Sequence, residues 1–252
     1  MEPLLEVKNL TKIFREEGKE EFAAVQGVNF SLYPHETLGI VGESGSGKST
    51  VAKMITRLTD ATDGQILLHG KDITRLKGRA LREVYRSFQM VFQSPMSSFD
   101  PRRTLGDGIG ESLRSAGRPK KEIEYRVREL LIQCGLTEDF AQKYPHEVSG
   151  GQCQRAAIAR ALAIQPELLI CDEATSALDV TVQKQIIELL WNLQKQHGMS
   201  YLFICHNLAL VQEFCDRVVV MQDGRIVEEG VPDQVIMYPV HEYTKKLVDS
   251  VL

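Results

Sequence analysis

The sequence predicts an α/β domain: a mostly parallel sheet with an N-terminal antiparallel β subdomain and an inserted α-helical subdomain. Three observations lead there. Wholly apolar runs such as Leu168 to Cys171 and Tyr201 to Cys205 alternate with helical patterns in the final third, as expected of parallel strands buried on both faces. A glycine-rich loop, Gly42 to Ser49, joins a strand to an amphipathic helix. A middle region broken by Pro95, Pro101, Pro119 and Pro145 reads as a helical insertion rather than an independent domain. The expectation is one domain over 1–252, with the insertion at about 94–160 and a short C-terminal extension at about 232–252.

Taken in order, Leu4 to Val7, Val25 to Leu32 and Thr37 to Val41 are apolar runs between turn signals, hence strands. The charged, glycine-containing stretch from Phe14 to Phe22 reads as a loop. After Ser49, the apolar residues Val51, Met54, Ile55 and Leu58 mark one face of a helix. Met90 to Gln93 closes a further strand, and Glu122 to Cys134 is helical. Ser149 is placed to cap a helix from Gln152 to about Leu162, which Pro166 terminates. Val182 to Leu193 is helical by period, and Val218 to Val227 forms a hairpin on the Asp223-Gly224 turn.

Composition excludes several classes. The chain has 252 residues, 43% of them hydrophobic and 25% charged, enough to bury a sizeable core. Its net charge of −4 offers no broad basic face for nucleic acid. No apolar run approaches the roughly 18 residues of a membrane span, and Met1-Glu2-Pro3 lacks the layout of a secretory signal. A cytosolic chain is expected, with any membrane role exercised through a partner. The five cysteines are scattered and form no C-x-x-C pair, which argues against zinc or a disulfide framework. His35, His69, His146, His197 and His241 have no ligand spacing.

Gly42-Glu43-Ser44-Gly45-Ser46-Gly47-Lys48-Ser49 has the spacing of a phosphate-binding loop. Its glycines let backbone N–H groups wrap phosphates without Cβ clashes, and the helix start adds a favourable dipole. Lys48 is expected to reach the β- and γ-phosphates, and Ser49 to ligate Mg²⁺. Asp172 ends a buried strand, where parallel sheets bind ligands; it is assigned to Mg²⁺ through water. The adjacent Glu173 is the candidate general base for the attacking water. His206 ends the next strand and can hold that water against the γ-phosphate, and Gln93 can sense Mg²⁺ and pass movement to the insertion. Val148-Ser149-Gly150-Gly151-Gln152 makes a second glycine-rich helix start on a different surface. Presented outward, it serves a partner's nucleotide and implies an ATPase working as a head-to-tail pair. Ser176, Ala177, Leu178 and Asp179 are positioned to touch that partner.

This set resembles the ATP-binding-cassette ATPases over essentially the full length. The resemblance implies a P-loop, RecA-like core, ATP and Mg²⁺ as cofactors, and ATP contacts from Gly42 through Ser49 with Thr50. It makes Val148 to Gln152 the signature acting in trans, Gln93 and His206 the Q-loop and switch residues, and Ser176 to Asp179 the D-loop. It also implies that Phe14 stacks on adenine, with Phe22 a competing candidate. Gln93-Ser94-Pro95-Met96-Ser97-Ser98-Phe99-Asp100-Pro101-Arg102 and His241-Glu242-Tyr243-Thr244 are similar to stretches of the oligopeptide, dipeptide and nickel importer branch. Val148 stands where leucine is usual, and Asn207 where aspartate is common. Membership of that branch implies a second, related ATPase, two membrane permease subunits gripped by the insertion, and an external solute-binding protein. It places the chain peripherally on the cytoplasmic face of the membrane, importing peptides, nickel or metal chelates. The alternative is a soluble cassette acting on ribosomes or DNA.

Overall fold

The computed structural model describes residues 2–15, 21–176 and 178–250. Strands β1 (Leu5–Phe14) and β2 (Phe22–Leu32) pair antiparallel, and β3 (Thr37–Val41), buried throughout, leads through the glycine-rich turn into α1 (Lys48–Ile55). β4 (Asp63–Leu68) and the short β5 (Lys71–Asp72) return to the first layer, a four-stranded sheet in the order β2-β1-β4-β5. After α2 (Gly78–Val84) and β6 (Phe88–Val91) come the helices α3 (Leu105–Ile109), α4 (Glu111–Ser115), α5 (Lys120–Gln133) and α6 (Gly150–Leu162). Alternation resumes with β7 (Leu168–Asp172), α7 (Val180–His197), β8 (Ser200–Ile204) and α8 (Leu208–Phe214). The hairpin β9 (Arg217–Gln222) and β10 (Arg225–Gly230) follows, then α9 (Pro232–Met237) and α10 (Glu242–Asp249).

The second sheet has six strands in the order β10-β9-β3-β8-β7-β6. All its neighbours run parallel except the β9–β10 hairpin. Side chains alternate between two cores. Tyr201, Phe203, Leu169 and Cys171 face one, while Leu202, Ile204, Leu168 and Ile170 face the other. Burying each large apolar side chain contributes about 1.5–3 kcal/mol. Leu105, Ile109, Ile123 and Leu130 of the helical segment belong to the same cluster as Leu169 and Tyr201, so helices and sheet share one apolar interior.

Several expected boundaries move, each for a local reason. β1 continues past Val7 to Phe14, because irregularities after Val7, Leu10 and Lys12 break its two-residue period. The stretch expected as a loop from Phe14 to Phe22 begins and ends in paired strand residues, and its middle, 16–20, lies outside the described residues. α1 stops at Ile55, so Leu58 leaves the helical face on which its spacing put it and stands 57% exposed. Here Thr56 bonds back to the Ala52 carbonyl at 2.9 Å, and Arg57 takes a left-handed φ of 59° while pairing with Asp60 at 2.7 Å. β6 ends at Val91 and β8 at Ile204, leaving Gln93 and His206 in the turns beyond. The strands β4 and β5 and the helix α2 carry too little apolar periodicity to announce themselves.

Tyr201 is fully buried and its hydroxyl donates to the Leu190 carbonyl at 2.8 Å, joining β8 to α7. Tyr201→Phe should therefore cost about 1–2 kcal/mol. A urea unfolding midpoint equal to the wild type's would refute that accounting.

Candidate functional site

Four parallel strands deliver their C-terminal ends to one edge of the second sheet. β3 runs into the glycine-rich loop, β6 toward Gln93, β7 into Asp172 and Glu173, and β8 toward His206. That edge is where open α/β sheets bind ligands.

The loop needs its glycines. Gly42 has φ 151°, and a Cβ there would lie 2.2 Å from the Met221 carbonyl oxygen. Gly47 has φ 100°, and its Cβ would lie 2.4 Å from the Ala24 carbonyl oxygen. Ser44 and Gly45 are exposed at the crest. The start of α1, where Lys48, Ser49 and Thr50 sit, has no side-chain cap, which leaves its N–H groups open to an anion. Lys48 is buried, and its ammonium donates to the carbonyls of Gly42 at 2.8 Å and Glu43 at 2.7 Å, and to Ser46 Oγ at 3.2 Å. Burial holds its pKa below the ordinary lysine value, against the pull of the Glu173 and Asp172 carboxylates.

Ser49 Oγ donates to Asp172 Oδ1 at 2.8 Å. Burial pushes the Asp172 carboxyl up, with the Ser49 hydroxyl working in the opposite direction. Glu173 takes a left-handed φ of 48°, and its N–H donates to the Ile204 carbonyl at 3.0 Å, pinning the end of β7 to β8. Its carboxylate accepts from Gln93 Nε2 at 2.7 Å, and the same amide lies 3.3 Å from Ser176 Oγ. Gln93, Glu173 and Ser176 thus form one hydrogen-bonded set. His206 is exposed and, among the described residues, makes no hydrogen bond to that set. Asn207 accepts the N–H groups of Ala209 and Leu210 and caps α8.

The second glycine-rich helix start lies elsewhere. Ser149 and Gln152 form a reciprocal capping box at the head of α6. Ser149 and Gly150 are exposed, and Val148 packs against the core. Gly151 must lack a side chain, because a Cβ there would lie 2.7 Å from Val182 of α7. Leu178 borders Gly150, and Asp179 caps α7 through the Val182 N–H at 3.1 Å; Ala177 lies outside the described residues. Among the described residues, no hydrogen bond links 148–152 to the loop at 42–50 of the same chain. Phe14 and Phe22 are exposed register partners across β1 and β2. Opposed residues share a face, so both rings stand together, with Lys12 Nζ 4.9 Å from the Phe14 centroid.

Two features escaped sequence reasoning. The Glu43 N–H donates to the Tyr243 hydroxyl at 2.8 Å across 200 residues of chain. A groove of about 410 Å³ lies beside the turn that carries Gln93, lined by residues that include Leu58, Tyr85, Met90 and Phe92. Among the described residues, no helix is long and apolar enough to cross a membrane.

A family profile described as ABC transporter matches residues 25–176. The oligopeptide transport ATP-binding protein OppF of Salmonella typhimurium is 47% identical over 98% of this chain and 77% of its own length. The dipeptide transport ATP-binding protein DppF of Lactococcus lactis is 44% identical over 98% of this chain and 81% of its own. The glutathione import ATP-binding protein GsiA of Escherichia coli is 46% identical over 99% of this chain, which spans 41% of that protein. Among solved structures, the dimeric ATP-binding cassette MJ0796, in a post-hydrolysis state with ADP and Pi, matches with a TM-score of 0.83 and 31% identity, over 90% of this chain and 98% of its own. CbiO1 of Clostridium perfringens, part of the ABC transporter complex cbiONQ, matches with a TM-score of 0.82 and 28% identity, over 94% of this chain and 92% of its own.

The raised pKa of Asp172 has a consequence for stability. A carboxyl with a folded pKa above its unfolded value favours the fold at acid pH, and that contribution fades as pH rises toward the folded pKa. Asp172→Asn removes the buried charge and leaves Ser49 an acceptor. Its unfolding midpoint should exceed the wild type's at neutral pH, with the gap closing below the ordinary carboxylate range. A variant less stable than wild type at pH 7 would contradict this.

Proposed function

The chain belongs to the ABC transporter family and hydrolyses ATP to drive solute import, and we propose that its solutes are short peptides. The relatives named above are described as serving oligopeptides, dipeptides and glutathione, and all three solutes are peptides. Those descriptions give no support to nickel or metal chelates, and they favour import over action on ribosomes or DNA. The chain works at the cytoplasmic face of the membrane with membrane permease subunits, an external solute-binding protein and a second, related ATPase. Residues 94–160 act as the helical subdomain, and the groove beside Phe92 receives a short cytoplasmic helix of a permease.

One contact carries the coupling: the 2.7 Å hydrogen bond from Gln93 to Glu173. Gln93 sits in the turn from which the helical segment departs, so movement of that segment reaches the catalytic carboxylate directly. In this reading Glu173 accepts the proton of the attacking water, and Lys48 leaves the loop carbonyls for the β- and γ-phosphates. The loop from Gly42 to Thr50 supplies backbone donors other than the Glu43 N–H, which the Tyr243 hydroxyl accepts, and Phe14 or Phe22 lies against adenine. His206 joins the site on closure of the pair, when Val148 to Gln152 and Ser176 to Asp179 meet the partner.

Mg²⁺ fits the oxygen donors present. Ser49 Oγ and Asp172 Oδ1 lie 2.8 Å apart, and the described residues contain no cluster of three or more His, Cys, Asp or Glu side chains for an all-protein cage. Such a pair suits a hard cation that takes its remaining ligands from phosphate and water. When bound, the ion supplies charge neutralisation on the transferring phosphoryl group.

Glu173→Gln should leave MgATP binding intact while lowering kcat by roughly 10²–10⁴-fold, accumulating a closed, ATP-loaded pair. Steady-state hydrolysis at the wild-type rate would reject the base assignment. For the solute, the reconstituted complex should couple ATP hydrolysis to uptake of labelled di- and oligopeptides. ATP-driven nickel uptake without peptide uptake would overturn the peptide assignment.

A further inference from the structure

The helix α10 is fixed to the sheet at its start. Glu228 of β10 accepts the N–H groups of Val240 and His241, both at 2.9 Å, immediately before α10 starts. Burial alone would raise the Glu228 carboxyl, yet hydrogen bonds such as those from these two amides hold it below the ordinary carboxylate value. His241 Nδ1 accepts the Tyr243 N–H at 3.2 Å and caps the helix. Leu247 and Val248 anchor its far end in the core. From this mount the buried Tyr243 ring carries its hydroxyl to the phosphate loop.

What it meets there is the second residue of that loop. The Glu43 N–H donates to Tyr243 at 2.8 Å, and the Glu43 carbonyl accepts Lys48 Nζ at 2.7 Å. Both backbone polar groups of the residue are therefore held, the carbonyl also by the Ser46 N–H at 3.2 Å within the loop, but the holds from Lys48 and Tyr243 have different fates. Lys48 has to release the Glu43 carbonyl in order to reach phosphate, whereas the Tyr243 hydroxyl competes with no ligand. A loop with three glycines in six residues, Gly42 to Gly47, loses much conformational entropy on ordering. A contact that fixes it beforehand lowers the cost of binding.

We propose that Tyr243 is a positioning residue for ATP: its hydroxyl holds the Glu43 end of the phosphate loop in shape while Lys48 turns from the loop carbonyls to the nucleotide. The tether rests on the phosphate-loop reading above. It gives the His241-Glu242-Tyr243-Thr244 element a task at the nucleotide site, distant in sequence from every other residue assigned to it.

The test is Tyr243→Phe in the full chain, which removes the hydroxyl and keeps the ring. One neutral hydrogen bond corresponds to about a fivefold effect, so the Kd for MgATP and the KM should rise about fivefold. kcat should change less than twofold, and the Glu43 amide should exchange faster with solvent. An unfolding midpoint that falls while Kd and Glu43 exchange stay unchanged would make Tyr243 a packing residue and overturn the proposal. An unprotected Glu43 amide in the wild-type chain would overturn it without any variant. Lys48→Ala separates the two levels. If it binds MgATP normally, the phosphate-loop reading fails; if it loses binding while Tyr243→Phe does not, only the tether fails.

Discussion

A parallel strand buried on both faces can carry polar chemistry only where it ends. β3, β7 and β8 are buried along their whole length, and their side chains divide between two apolar cores. Polar groups within those strands pay desolvation unless a partner is within reach, as the Leu190 carbonyl is for the Tyr201 hydroxyl. The phosphate loop, Asp172 with Glu173, and His206 accordingly emerge at a single edge. Parallel alignment is what makes these three exits coincide, because every strand of the group points the same way. The site is a consequence of how the core is filled.

That edge concentrates charges which the fold holds at some cost. Lys48 is satisfied by the carbonyls of its own loop, and Asp172 by Ser49. Burial still disfavours the charged form of both. On the function proposed above, phosphate and a divalent cation carry the complementary charges, and their binding relieves an electrostatic tension already present. Active sites commonly give up stability in this way.

The outward surface follows a different logic. Ser149 and Gln152 satisfy each other, and Gly151 exists because Val182 of α7 leaves no room for a side chain. The helix start is therefore complete without a ligand from its own chain, yet Ser149 and Gly150 remain uncovered. Leu178 and Asp179 lie against or beside it. Gln93 ties the Glu173 carboxylate to the turn that leads into the helices. The glycine-rich loop edge, the outward helix start and the helical segment are thus only a few contacts apart.

Local rules made a large share of this legible in advance. Apolar runs identify β3, β7 and β8, glycine spacing marks the turn into α1, and Ser149 announces its helix, because each depends on residues within a turn or two of one another. The same reasoning misjudged Leu58, whose helical face is cut short by Thr56 and Arg57. It also placed Gln93 and His206 on strands that end two residues earlier. Contacts such as Gln93 to Glu173 and Glu43 to Tyr243 had no sequence signature at all. A hydrogen bond between segments far apart in the chain is set by strand register and helix mounting, and those are decided only when the whole core packs. Composition and spacing by themselves determined the chemistry available; the tertiary structure decided which groups touch.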